Sequence, residues 1–537
     1  MPAGEARPRL LYSEYLRETC ERRRAGAARI DPYLPMSRRT AAQHKAPAHQ
    51  RPPRRITPYF LGAFVLLVVV LLLAAVFGRF EYAYLPPLSK VINAERNPMP
   101  AYDVLGRSVG HEEAARLQQT PEGRASLSAA QGAIRIDAAF LEFGREAFYR
   151  ETFDNEYFLS DVIGALDGPI TPWAMSKALI ALAGRGTDNL QVRLAEDVTI
   201  AGKAFRKGEL IDTGIDVARG AFAPIGFKMS YERGRIRTGV TCAACHTKVD
   251  PESGSVLEGP PNPDINMGLI LALAPNSAAY FGRTDVDLAK REDLYLDPDR
   301  TAPTGTGGRA RLPDPQRLET AVDEVLMHWP PGNFDTMVDM SANPSRIPDS
   351  FTLGDHPYGW NGFGQVGPFQ GLSTLGNNVH AFNADPSIEF HTAPLFFELE
   401  PETYLAVLFQ NASQESVRYD PGGTETALEF LQRVGPNPDS PGMSELPDPA
   451  NSLLALIDRG LRERVVTANR ADPMLSRFNA LGMGHEQWVD RSAGFSAKEQ
   501  RALIHYLLYL DQDEDPPKPT AAESAHADGA ARSRRMR

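Results

Sequence analysis

The stretch Thr241–Thr247, TCAACHT, carries the most specific pattern in the chain. Cys242 and Cys245 are three residues apart and His246 follows at once, so the motif reads C-x-x-C-H. This is the attachment signature of c-type haem. Two thiols at this spacing match the two vinyl groups of one porphyrin, and the next imidazole is placed for the iron. The motif predicts one covalent haem c, with His246 as the proximal ligand.

Three other interpretations of this motif compete with haem attachment: a thioredoxin-like redox pair, half of a zinc site, and chance. A redox C-x-x-C usually lies in a βαβ unit, which the neighbouring sequence does not predict. Structural zinc needs two more ligands, and the chain has only one other cysteine, Cys20. The adjoining histidine favours haem over all three.

The net charge of the chain changes sign at one apolar run. The 537 residues have a net charge of −11, but the first 58 carry 13 Lys and Arg against 5 Asp and Glu, and the remainder carries 44 against 63. The run Tyr59–Phe77 contains no charge and no proline. At about 1.5 Å per residue it spans roughly 28 Å, close to the thickness of a bilayer core. It predicts a transmembrane helix over residues 59–78.

The basic flank before this run predicts that the N-terminus lies in the cytoplasm. We therefore expect a single-pass protein of the bacterial cytoplasmic (inner) membrane, with its C-terminal domain in the periplasm. A cleaved signal peptide is the competing interpretation, but its charged region would be unusually long. The predicted domains are a mostly disordered basic arm (1–58), the membrane segment (59–78), an entry segment (79–135), a haem domain (136–512) and a disordered tail (513–537).

Apolar periodicity predicts that the fold is mainly α, with long irregular insertions and a few short β hairpins. The segment 137–153, DAAFLEFGREAFYRETF, places Phe140, Phe143, Ala147 and Phe148 on one helical face. Residues 191–240 alternate short apolar stretches with turns and predict hairpins. The other predicted helices are Pro172–Ala183, Leu318–His328, Pro401–Gln410, Thr426–Val434, Ser452–Ala468 and Ser496–Leu510.

Two of these segments resemble parts of the class I cytochrome c fold. FGREAFYRETF is similar to its N-terminal helix, and GFSAKEQRALIHYLLYL is similar to its C-terminal helix. The resemblance implies that the two helices cross and that a class I core carries long insertions. It also implies a packed position for His505, Tyr506 and Leu507.

Four further segments are similar to the larger bacterial family of di-haem cytochrome c peroxidases and rubber oxygenases: REAFYRETFDNEYF, PPGNFDT, NPSRIPDSF and DHPYGWNGF. Members of that family carry two C-x-x-C-H motifs, whereas this chain has one. A relay between two haems of the same chain therefore does not carry over.

The resemblance also suggests a distal ligand for the iron. Met483, in LGMGHEQW, precedes the closing helix as the distal methionine of the class I cytochromes does, and the glycines on either side suit a close approach to a porphyrin. The alternative candidates are Met340, Met267, His485, His380 and His391.

The predicted function is one-electron transfer between this haem and protein partners of a respiratory chain. The acidic balance after residue 58 would steer basic partners toward it. The alternative is a peroxidase-like or oxygenase-like haem enzyme that uses the inserted region, or a redox or gas sensor. The outer domain shows no basic patch suited to nucleic acid.

Overall fold

The computed structural model describes residues 78–94, 101–104, 107–152, 155–232, 234–335, 340–347, 399–434 and 497–510. Contacts between residues divide the protein into two compact units, residues 1–78 and residues 79–537. Apart from Gly78, the described residues belong to the second unit. The predicted arm (1–58), the predicted tail (513–537) and the predicted helix Ser452–Ala468 lie outside the described residues.

The predicted membrane segment, residues 59–78, also lies outside the described part except for Gly78. Within the described residues, no helix has the length and apolar character that crossing a membrane requires. This finding contradicts the prediction of a single-pass inner-membrane protein with a periplasmic domain.

Helices form where the sequence supplies an apolar face and a suitable first residue. The helices of the described part are α1 (His111–Leu117), α2 (Pro121–Ser126), α3 (Ala138–Arg150), α4 (Asn155–Tyr157), α5 (Pro172–Ala181), α6 (Cys242–Cys245), α7 (Met267–Ala272), α8 (Pro315–Leu326), α9 (Pro401–Gln410), α10 (Ala427–Val434) and α11 (Ala497–Leu510). A π-helical turn over Phe158–Ile163 continues α4, and 3-10 turns lie at Leu88–Lys90, Ala129–Gln131, Ser277–Arg283, Glu292–Leu294 and Glu415–Val417.

The predicted helices within the described residues are confirmed, with shifts at their ends. Helix α9 has the predicted bounds, and α11 begins at Ala497. Helix α8 begins at Pro315, three residues before the predicted start, because the Asp314 carboxylate accepts hydrogen bonds from the N–H groups of Gln316 and Arg317. An acidic N-cap followed by proline at the first helical position is a strong start signal.

Strands in the described part are short and antiparallel. They are β1 (Arg79–Tyr82), β2 (Tyr102–Val104), β3 (Arg107–Val109), β4 (Ala133–Arg135), β5 (Gln191–Arg193), β6 (Val198–Ile200), β7 (Lys203–Phe205), β8 (Leu210–Asp212), β9 (Phe227–Glu232), β10 (Arg235–Val240), β11 (Thr247–Val249), β12 (Val256–Glu258), β13 (Thr301–Pro303), β14 (Arg309–Arg311), β15 (Asn333–Phe334) and β16 (Ser345–Arg346).

These strands form two three-stranded sheets and several two-stranded pairs. The sheets have the orders β1-β9-β10 and β3-β2-β4, and the pairs are β5-β8, β6-β7, β11-β12, β13-β14 and β15-β16. In the first sheet Phe80 lies opposite Tyr231, and Phe227 lies opposite Val240. The hairpins predicted over 191–240 are confirmed.

The predicted fold class, an inserted class I cytochrome c-like core that is mainly α and carries a membrane helix, is wrong. The described part of the chain is 38% helix and 18% strand, with many small hairpins. Strands of two to six residues explain the difference. So few residues show too little apolar alternation for sequence patterns to detect them.

Helices α3 and α11 pack directly against each other, as the two similar segments imply. Gly144 of α3 makes the close approach possible, because a Cβ built there would lie 1.9 Å from the Ala502 carbonyl oxygen of α11. Phe148 and Tyr506 meet across the same contact with ring centroids 5.3 Å apart. The aromatic contact and the missing side chain at Gly144 together set the distance between the two helices.

The buried side chains form two clusters. The large core gathers residues of the π-helical turn, the hairpins, α7, α8, α9 and α10; the largest of its fully buried side chains are Tyr280, Tyr404, Phe281 and Phe409. The small core is built around the α3–α11 contact and contains Tyr84, Ala147, Phe148, Tyr149, Ala218, Ile225, Ala243, Val249, Val256, Leu503, Tyr506, Leu507 and Leu510.

Gly144→Ala should destabilise the protein by about 1–3 kcal/mol, because the added methyl group overpacks the contact with Ala502. Urea unfolding followed by circular dichroism measures the change. Gly423→Ala is the control, since a Cβ there would lie at an ordinary contact distance, 3.4 Å from the Asp420 carbonyl oxygen. Equal effects of the two substitutions would contradict a close contact at Gly144.

Candidate haem-attachment site

The C-x-x-C-H motif lies directly after the β9–β10 hairpin. Strand β10 ends at Val240, Thr241 precedes the single turn α6, and β11 begins after His246. The Thr241 N–H donates to the Gly226 carbonyl oxygen at 2.8 Å. Gly226 has φ +73°, and a Cβ there would lie 1.9 Å from the Ala244 nitrogen. Glycine is therefore required where the chain before β9 packs on the motif.

The single turn α6 lies between the two cores. Cys242 packs against the small core, and Cys245 packs against the large core. Ala243 and Ala244, between them, are buried. Both thiols therefore have apolar surroundings, although each cysteine keeps some solvent exposure.

The two cysteines are not joined in a disulfide. Burial raises the pKa of each thiol to about 12, and the Coulombic effect of Cys245 adds to the shift at Cys242. Reactive cysteines of redox C-x-x-C motifs have lowered pKa values, because the thiolate is the nucleophile. Thiols that stay neutral do not fit a thioredoxin-like pair.

The main chain of His246 is held on both sides. Its N–H donates to the Cys242 carbonyl oxygen at 3.0 Å, and its own carbonyl oxygen accepts from the Gly259 N–H at 2.9 Å. The residue itself is half-buried. These bonds fix the point at which the imidazole leaves the backbone, immediately after the second thiol.

The Thr241 hydroxyl, next to Cys242, is buried without a hydrogen-bond partner among the described residues. Such a group costs about 1–3 kcal/mol if it stays unsatisfied. Two neutral thiols on one turn, a histidine held beside them and an unsatisfied hydroxyl fit the attachment of a covalent haem.

Strand β12 connects the motif to a buried carboxylate. It pairs with β11, and Thr247 lies opposite Glu258. The fully buried Glu258 accepts hydrogen bonds from Arg145 Nε and Tyr149 Oη of α3, both at 2.8 Å, and from Tyr506 Oη of α11 at 2.7 Å. We call these four side chains the Glu258 cluster.

Electrostatics within the Glu258 cluster keep Arg145 charged. Burial alone would lower the pKa of Arg145, but the charge of Glu258 and the neighbouring phenols raise it above its usual value. Burial raises the pKa of Tyr149 well above its usual value, and Glu258 adds to the effect. Arg145 also donates to the Pro86 carbonyl oxygen at 2.6 Å. The cluster therefore joins α3, α11, β12 and the chain before α1.

A second buried ion pair lies on the strand that leaves the motif. Lys248 Nζ is 2.9 Å from Asp216 Oδ1 and 3.1 Å from Asp264 Oδ2. Burial alone would lower the pKa of Lys248, but the charge of Asp216 raises it. The Val249 N–H also donates to Asp216, which ties β11 to the segment after β8.

Two of the predicted distal ligands, Met267 and Met340, lie within the described residues. Met483, His485, His380 and His391 lie outside the described residues. Met267 begins α7 and is buried in the large core. Met340 packs against the same core with φ +56°, and its N–H donates to the Gly282 carbonyl oxygen.

The prediction of a metal-binding protein needs a correction. Within the part of the chain that the structure describes, no group of three or more His, Cys, Asp and Glu side chains could hold a metal ion. Cys242, Cys245 and His246 therefore do not converge with one another, or with another such side chain of the described part, as the ligands of one metal ion. A structural zinc site at the motif is disfavoured for the same reason.

Sequence patterns missed most of the Glu258 cluster. The predicted face of α3 was apolar, yet Arg145 and Tyr149 on this helix are buried and Phe143 is only half-buried. The predicted packed positions of His505, Tyr506 and Leu507 are confirmed. The spacing of Arg145 and Tyr149 by four residues puts them on one helix face, but nothing local identifies Glu258 as their partner.

The chain matches no protein-family model, no curated protein and no solved structure. The likeness to c-type cytochromes therefore stays a prediction from the motif and the segments quoted above.

Glu258→Gln should lower the free energy of unfolding by about 3 kcal/mol, because it removes the buried counter-charge of Arg145 and leaves only the solvent-exposed Glu142, 3.1 Å away. Urea unfolding measures the effect. The matched control is Glu425→Gln at the solvent-exposed pair with Arg433, where the loss should stay below about 1 kcal/mol. Similar losses at both sites would show that the Glu258 cluster does not stabilise the fold.

The thiol pKa values can be tested by alkylation of the haem-free Cys20→Ser chain, in which Cys242 and Cys245 are the remaining thiols. Because iodoacetamide reacts with the thiolate, the rate should still rise about tenfold per pH unit between about pH 9 and pH 11. In urea the rate should level off above the ordinary thiol pKa. A native rate that levels off near pH 9 would contradict buried, neutral thiols.

Proposed function

We propose that this protein is a c-type cytochrome that binds one haem through Cys242 and Cys245, uses His246 as the proximal ligand and transfers single electrons. The observation that carries the proposal is the position of C-x-x-C-H on one turn between two apolar cores, with both thiols free of a disulfide. Haem, when bound, supplies a reversible one-electron couple.

Thioether formation needs two unoxidised thiols at fixed separation. The turn α6 meets that need, since it presents Cys242 and Cys245 three residues apart and buries the two alanines between them. The bonds from Thr241 to Gly226 and from Gly259 to His246 fix both ends of the motif. The motif is thus rigid before any group is attached.

The surroundings of the motif also suit a carrier of electrons. Apolar side chains from both cores adjoin the cysteines, and apolar surroundings tune the reduction potential of a haem. The residues after 58 carry an excess of acidic side chains, which favours basic electron-transfer proteins as partners.

Production of the full chain together with a cytochrome c maturation system tests the proposal. The denatured protein should keep haem on a gel stained for haem peroxidase activity. The Cys242→Ser, Cys245→Ser double variant should lose the stain, because both thioether bonds are absent. Cys20→Ser is the matched control and should keep it. Wild-type protein without covalent haem would refute the proposal.

Spectra of the same preparations test how His246 and the iron are arranged. His246→Ala should abolish the wild-type absorption spectrum, since the proximal ligand is removed. Low-spin, six-coordinate iron in the wild type supports electron transfer. High-spin iron that binds carbon monoxide would instead contradict the carrier function and favour a haem enzyme or sensor.

A further inference from the structure

An apolar cavity of about 450 Å³ lies against one face of the β1-β9-β10 sheet. The sheet contributes alternate residues, among them Tyr82, Met229 and Thr238, which the strand register places side by side. Helix α5 forms another wall with Met175 and Leu179. The remaining lining residues come from the same elements, from α7 and from loops, and most of them are apolar.

Among the described residues that line the cavity, none carries a charged side chain. Two of its hydroxyls are already engaged, because Ser176 donates to the Pro172 carbonyl oxygen and Thr213 donates to the Leu190 carbonyl oxygen. A cavity of this composition offers apolar contact and few hydrogen bonds. It would repel ions, because burying an unpaired charge is costly.

The mouth of the cavity is marked by exposed apolar residues. Phe222 is 86% exposed and Phe80 is 61% exposed, and both also line the cavity. Exposed apolar groups gathered at a cavity of drug-like size are typical of a ligand-binding site.

We propose that this cavity binds an uncharged, hydrophobic small molecule. Its volume falls within the range of about 300–1,000 Å³ that small-molecule sites occupy. The two methionines, Met175 and Met229, add flexible side chains that adapt to an apolar ligand. Residues Cys242, Cys245 and His246 do not line the cavity, so the ligand site is distinct from the attachment motif.

The cavity nevertheless adjoins the segment that carries the motif. Phe227 lines it and pairs with Val240, two residues before Cys242. Gly226, next to Phe227, packs on Ala244 of α6. A bound molecule would therefore lie against the hairpin that holds the motif in place. The proposed binding goes beyond electron transfer and does not require haem.

Titration of the full chain with N-phenyl-1-naphthylamine, an uncharged fluorescent probe, tests the proposal. Saturable binding of one probe per chain is expected. Met175→Glu and Met229→Glu place a charge on opposite walls and should each weaken binding about tenfold or more. Ile180→Glu is the matched control, because Ile180 lies on the same helix α5, is 71% exposed and does not line the cavity. It should bind the probe as the wild type does.

Absence of saturable binding, or equal binding by Met175→Glu, Met229→Glu and Ile180→Glu, would overturn the proposal. The proposal would also be overturned if light scattering showed that the wild type self-associates and that Met175→Glu abolishes this association. A second copy of the chain would then cover the apolar face. Circular dichroism shows whether each variant is folded. If one of the two cavity variants, Met175→Glu or Met229→Glu, does not fold, the binding measured with the other one tests the proposal. Haem staining of the same samples separates this outcome from a failure of the proposed haem attachment.

Discussion

The buried carboxylate of Glu258 is the group on which the arrangement around the motif depends. An ionised carboxylate removed from water costs several kcal/mol unless its partners compensate. Here Arg145 and Tyr149 donate to it from α3, and Tyr506 donates to it from α11. All three donors reach Glu258 only if the two helices lie as close as the contact at Gly144 permits. Charge compensation and helix packing therefore stabilise each other.

The same carboxylate fixes the surroundings of the C-x-x-C-H motif. Glu258 belongs to β12, which pairs with the strand that begins directly after His246. On the other side of the motif, Gly226 accepts a hydrogen bond from Thr241 and packs on Ala244. The single turn that carries the thiols is thus held at both ends, between a core built on two helices and a larger core of mixed elements. The apolar cavity lies against the hairpin that leads into this turn, so the two proposed sites share one element of the fold.

Local patterns predicted the features that depend on neighbouring residues. The hairpins over 191–240 and helices such as α9 follow from apolar periodicity and turn residues. Patterns failed where the partner is distant in sequence. Arg145 is separated from Glu258 by 113 residues, and Tyr506 is separated from it by 248. The residues next to Arg145 and Tyr506 in the sequence do not indicate either contact. From the sequence alone, an arginine on a helix is expected to be exposed to solvent. The mainly α fold class was wrong because strands of three residues contain too little alternation to be recognised.

The amino-acid sequence by itself determined the chemistry of the motif, since the spacing of Cys242, Cys245 and His246 is a covalent property of the chain. It also determined the longer helices α3, α5, α8, α9, α10 and α11, because helix formation depends on contacts three and four residues apart. Only the tertiary structure decided that the thiols are neutral, that Glu258 joins α3 to α11 and that an apolar cavity lies against the β1-β9-β10 sheet. The reason is physical: burial, compensation of charge and enclosed volume arise from residues that meet only when the chain has folded.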